Sequence, residues 1–127
     1  MKWKFDNDRS ISAQISETIQ KGILSGVYPP GSGIPSVRAL AVEAGVNPNT
    51  MQKALAELEA QGLLHTQRTS GRTVTSDEKL ITELRQRMAT SYIDAFFQSM
   101  MGLGIEPQLA IEMLTSRKTP INPTEVS

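Results

Sequence analysis

The stretch Ala44-Gly45-Val46-Asn47-Pro48 leaves this chain little freedom in how it folds. Gly45 favours the left-handed conformation that ends a helix. Asn47 followed by Pro48 is a start signal, an N-cap ahead of a proline whose missing amide hydrogen costs nothing at the first helical position. Stop and start so close together predict two helices joined by a very tight turn. Upstream, Ser36 is placed to cap a short helix over Val37 to Ala44 that buries Leu40, Ala41 and Ala44. Downstream, a helix from Pro48 to about Gln61 carries Met51, Ala54, Leu55 and Leu58 on one side, with Gly62 ending it. Asn49, Thr50, Gln52 and Lys53 then point away and crowd its N-terminal half with polar groups.

The flanks complete a pattern. A first helix begins near Ser10 or Ser12 and sets Ile11, Ile15, Ile19 and Ile23 towards a core until Ser25-Gly26 stops it. Val27-Tyr28-Pro29-Pro30-Gly31-Ser32-Gly33 cannot continue a helix and reads as an ordered loop or linker, with Tyr28 as a packing residue. After the third helix, Leu63 to Arg68 and Arg72 to Thr75 are short runs rich in Leu, Thr and Val around Thr69-Ser70-Gly71, a β-hairpin. Helix, helix, helix, hairpin is the order of a winged helix-turn-helix. From Asp77 a long amphipathic helix carries Leu80, Ile81, Leu84, Met88, Tyr92, Ala95, Phe96 and Met100 until Gly102 and Gly104 break it. Pro107 opens a shorter helix with Leu109, Ala110, Met113 and Leu114, and a polar tail follows from Thr119. The fold class is therefore mainly α: a winged helix-turn-helix over 1–76, a two-helix segment over 77–118 and a frayed tail over 119–127.

Composition narrows function further. The chain has 127 residues, no cysteine and one histidine, His65, which leaves no material for disulfides, zinc fingers or a histidine-based triad. His65 reads as an ordinary strand residue. Glu57 and Glu59 lie two apart on a helix and face different ways, so they make no carboxylate pair, and no glycine-rich phosphate loop is present. An enzyme is not expected, and no cofactor or metal is implied. No run is apolar enough to span a membrane and no secretory signal opens the chain, so a soluble, cytoplasmic protein is expected. Thirteen basic and thirteen acidic residues cancel, which argues against a blanket binder of nucleic acid. Residues 1–76, however, carry eight Lys/Arg against six Asp/Glu, and 60–76 contain no acid.

In a helix-turn-helix the second helix enters the major groove N-terminus first, with short polar side chains reaching base edges. Asn49, Thr50, Gln52 and Lys53 suit that geometry, Asn and Gln by bonding adenine through two hydrogen bonds. Ser36 and Asn47 stand at the two helix starts nearest the groove, and Arg38 would reach phosphate or the groove edge. The wing tip, Arg68, Ser70, Gly71 and Arg72, would lie along the backbone or minor groove. Taken singly, each piece has a plain alternative: a solvated helix face, an Arg38–Glu43 salt bridge, a solvated basic hairpin. Their joint occurrence in this order favours DNA. A winged-helix adaptor that binds protein without specific DNA contacts is the competing reading, which the neutral net charge permits.

Several spaced runs carry a family resemblance: Ile23-Leu24-Ser25-Gly26, Pro30-Gly31, Ile34-Pro35-Ser36-Val37-Arg38-Ala39-Leu40-Ala41, Gly45-Val46-Asn47-Pro48-Asn49-Thr50 and Ala54-Leu55-Ala56-Glu57-Leu58-Glu59-Ala60-Gln61-Gly62-Leu63-Leu64. Over about residues 10–76 the chain resembles the DNA-binding domain of GntR-family regulators. The resemblance implies operator contacts by Arg38, Asn49 and Thr50, with Gly71 at the wing tip. The chain departs from the family pattern at Ile34, Ser12-Ala13, Gln52, Lys53 and Gly71-Arg72-Thr73-Val74. Only about fifty residues follow the wing, which is similar to the YtrA-type subfamily, where two helices are implied to form the dimer interface and repression of transporter operons is common. Independently, a helical hairpin rich in Phe96, Phe97, Met100, Met101 and Leu103 exposes more apolar surface than it can bury on itself. Leu84, Met88, Tyr92, Phe96, Met100, Leu103, Leu109 and Met113 are the expected interface of a homodimer that reads a palindromic operator, probed by an unidentified small-molecule effector if the Met/Phe cluster also forms a pocket.

Overall fold

Local signals set nearly every boundary in the computed structural model, which describes residues 2–68 and 71–117. The element order is α1 (Ile11–Ser25), α2 (Val37–Ala44), α3 (Pro48–Ala60), β1 (Leu64–Gln67), β2 (Gly71–Val74), α4 (Glu78–Gly102) and α5 (Pro107–Ser116). Of the two serines able to start α1, Ser10 is the cap, its Oγ accepting from the Ala13 amide. The chain forms two compact units, and the division falls inside α4, after Arg85.

In the first unit, α1 and α2 both pack on α3, and β1 follows from it. Ile15, Ile19, Leu40, Met51, Ala54, Leu55 and Leu58 are wholly buried where these helices meet. Burial of this many branched and thioether side chains, at about 1.5–3 kcal/mol each, dominates the stability of the unit. Ile11 and Ala44, expected in the core, lie at its margin and are half-buried. One polar group crosses the core: the Ser16 Oγ on α1 donates towards the Ala54 carbonyl at 3.3 Å. Ile81 and Leu84 on the first turns of α4 are buried with this unit. That burial moves its boundary nine residues past the position 76 expected from sequence, to 85.

Ahead of α1, residues 2–10 run without regular structure and are held through Gln14. The Asp6 amide donates to Gln14 Oε1 at 2.7 Å, and Gln14 Nε2 donates to the Asp6 and Arg9 carbonyls. Gln14 is buried on the second turn of α1 with its polar atoms thus engaged. Arg9 bridges to Glu17, which raises the guanidinium pKa first by accepting its hydrogen bond and then through its charge.

The segment expected to be a loop between α1 and α2 proves to be the third strand-like edge of the wing. The Gly31 amide donates to Val74 O, the Val74 amide to Ser32 O and the Ile34 amide to Arg72 O, at 2.8–3.0 Å, and Gly33 bridges antiparallel to Thr73. Gly31 adopts φ +77° there, and a Cβ at that position would stand 3.1 Å from Ser76 Oγ. Tyr28 is buried at its start, as a packing residue should be; desolvation, and then the charge of Glu43, raises its pKa.

The second unit holds the remainder of α4 and α5. A turn through Leu103, Gly104 and Ile105 returns its amides to the Met100 and Met101 carbonyls, with Gly104 at φ +79°. Among the described residues of this unit only Ala110 is buried. Tyr92, Ile93, Met101, Leu103, Leu109, Ile111, Met113 and Leu114 are all exposed, and the Phe96 and Phe97 rings meet edge to face at 5.3 Å. Met88, Phe96 and Met100 are half-buried. Leu84 is a correction to the expected interface set: it is 1% exposed within the single chain and serves the core of the first unit, so no partner can reach it. The tail expected over 119–127 lies outside the described residues.

Candidate nucleic-acid interface

The α2–α3 pair is built by its caps. Ser36 Oγ accepts from the Ala39 amide at 3.1 Å to start α2, and Gly45, at φ +70°, returns its amide to the Ala41 and Val42 carbonyls to end it. Asn47 Oδ1 then accepts from the Asn49 amide at 2.8 Å to start α3, with Pro48 at its first position. Ser36 and Asn47 were both expected at the DNA surface; they are exposed and spend their side-chain oxygens on these caps.

With Met51, Ala54, Leu55 and Leu58 buried, the other side of α3 presents Asn49, Gln52 and Lys53 to solvent, and Thr50 is half-buried beside them. The free amides of the first turn and the positive end of the helix dipole point the same way. Arg38, on the first turn of α2, is exposed and makes no ion pair among the described residues. Its guanidinium is available for a phosphate, not committed to Glu43.

The wing is the antiparallel pair β1–β2 in the register Leu64↔Val74, His65↔Thr73, Thr66↔Arg72 and Gln67↔Gly71. Alternation along the strands puts Leu64 and Val74, both buried, on the inner face. Thr66 and Arg72 share that face and both reach Glu59 at the C-terminal end of α3. Thr66 Oγ1 donates to Glu59 Oε1, and Arg72 Nε donates to the same oxygen. The hydrogen bond from Thr66, followed by that from Arg72 and its charge, holds the Glu59 carboxyl below the ordinary carboxylate range. Arg72, expected to lie on DNA, has only 16% of its side chain exposed. Arg68 is exposed, and His65 is exposed on the outer face. Gly71 opens β2 at φ +77°, a left-handed position suited to glycine. Ser70 lies outside the described residues. Glu59 is the residue sequence reasoning passed over: an acid in the last turn of a helix opposes the helix dipole, and that misfit is the signal that it has a partner elsewhere.

A tightly joined helix pair whose second member shows a polar N-terminal face, followed by a hairpin docked on that member, defines a winged helix-turn-helix. The sequence profile of the bacterial regulatory proteins of the gntR family matches residues 11–74, and the chain belongs to that family. Its relatives are regulators of transcription. The uncharacterized HTH-type transcriptional regulator YhcF of Bacillus subtilis is 30% identical over 116 residues, covering 91% of this chain and 93% of that one. The HTH-type transcriptional repressor YtrA of the same organism is 33% identical over 93 residues, covering 68% of this chain and 72% of that one. A GntR family transcriptional regulator from Listeria monocytogenes has the same fold, with a TM-score of 0.80 at 34% identity over 90% of this chain and all of that one. The chain is thus a DNA-binding transcription regulator and not an enzyme. No helix among the described residues is long and apolar enough to cross a membrane.

Proposed function

We propose that the chain is a homodimeric repressor acting in the cytoplasm, which reads a palindromic operator through the N-terminal half of α3. The observation that carries this reading is the division of α3 into a buried apolar side and an exposed Asn49-Gln52-Lys53 side, next to an uncommitted Arg38. Asn49 and Gln52 supply base-edge hydrogen bonds, Thr50, Arg38 and Lys53 supply phosphate contacts, and Ser36 and Asn47 fix the two helix starts. Arg68, Ser70 and Gly71 carry the wing along the neighbouring backbone.

The dimer is supported by the second unit, whose apolar side chains find so little cover in one chain. Met88, Tyr92, Phe96, Met100, Leu103, Leu109 and Met113 form its proposed interface. A two-fold pair of such chains sets two copies of α3 for half-sites one or more helical turns apart. Repression is favoured by similarity to a relative named as a repressor.

A gel shift on the region upstream of the chain's own gene, run across a salt series, tests the reading. Binding that falls steeply with salt, and falls again for Arg38→Ala and Asn49→Ala, supports it. No retardation at low salt refutes this form of it.

A further inference from the structure

The wing is a two-stranded hairpin edged by residues 31–34, and so thin a sheet depends on the elements it docks on for its stability. Here three elements converge on one residue of it. The Arg72 side chain reaches Glu59 on α3, its ladder partner Thr66 reaches the same carboxylate oxygen, and its backbone carbonyl accepts from the Ile34 amide, two residues before the cap of α2. Recognition helix, wing and the lead-in to α2 thereby meet at Arg72, alongside the ladder bonds that Gly31 and Ser32 share with Val74. The side chain that sequence places on the DNA is turned inward to do this.

We propose that Arg72 and Glu59, with Thr66, are positioning residues that set the wing against α3, and that Arg72 acts on DNA through the wing's placement and not by touching phosphate. Glu59 is then required for binding although it is an acid in a unit that binds a polyanion. This separates the two roles by sign. Removing an acid near DNA strengthens an interaction governed by charge alone, whereas removing a positioning acid weakens it.

The inference rests on DNA being read by α3 and the wing, so one arm of its test uses no DNA. In the free protein, Glu59→Ala should speed amide hydrogen exchange in β1 and β2 while leaving the Leu55 and Leu58 amides protected. Unchanged exchange in the wing overturns the proposal whatever happens on DNA. In the second arm, a duplex selected from a random pool by the unaltered protein is titrated with each variant. Glu59→Ala and Arg72→Ala should each weaken binding by about fivefold with the salt slope intact, and the double variant should be no weaker than the singles. Thr66→Val, which changes no charge, should weaken it in the same direction. Glu59→Ala binding as well as or better than the parent, or Arg72→Ala losing about one unit of salt slope, assigns Arg72 to phosphate and overturns the proposal.

Discussion

The exposed side chains of α3 and α2 carry different kinds of information, and substitutions should tell them apart. Asn49 faces solvent at the start of α3, so Asn49→Ala should leave the fold alone and cost about 1–3 kcal/mol on operator DNA, with relaxed preference at one base pair. Lys53→Ala should weaken binding to all sequences alike and lower the salt slope by about one, measured by titration at several salt concentrations. Glu59 has a pH signature. Its carboxyl is held below the ordinary carboxylate range, first by the hydrogen bond from Thr66 and then by Arg72. A depressed carboxyl contributes stability that is full above its unfolded pKa and is lost as pH falls through the folded one. Glu59→Gln should therefore lower the unfolding free energy from a urea melt at neutral pH, by no more than about 1 kcal/mol because the pair is partly solvated, and the gap to the parent should close as pH falls into the acid range where the Glu59 carboxyl takes up its proton. Beyond the misplaced acid, no residue pattern points to this triad, because the Thr66–Arg72 pairing follows from the strand register, which the residue types of the two strands leave open.

At the scale of elements, the helix-turn-helix was readable because its boundaries are made by caps, and caps are local chemistry. Ser36, Gly45, Asn47 and Pro48 act within four residues of themselves, so no knowledge of the rest of the fold is needed. The edge at 31–34 was hidden for the opposite reason. Its ladder to β2 uses backbone groups only, in a run of glycine, proline and serine that signals turn. Gly31→Ala tests that edge: the left-handed φ and the approach to Ser76 Oγ should make it cost about 1–2 kcal/mol in a denaturant melt. The stripe along α4 misled in another way. Leu80, Ile81, Leu84, Met88 and Tyr92 recur at helical spacing without a break, yet Ile81 and Leu84 are buried in the first unit while Tyr92 is exposed in the second. Periodicity gives the direction of a stripe and not which surface covers each part of it.

For the whole molecule, dimerisation is what would turn a single reader into a pair. Leu109, Ile111, Met113 and Leu114 of α5, and Leu103 in the turn before it, are exposed in one chain, so charged substitutions at these positions do not disturb its own core. Leu109→Asp with Met113→Asp should preserve the far-ultraviolet circular dichroism and the melting of the first unit while shifting the sedimentation mass to one chain, and a dimer that persists would exclude this surface. The account as a whole meets its most direct test in a footprint of the region upstream of the chain's own gene, read together with the mass of the complex. Two protected half-sites related by a two-fold axis, about one or more helical turns apart, with two chains on each duplex, are predicted. Protection of a single site by one chain, or none at all, would contradict it.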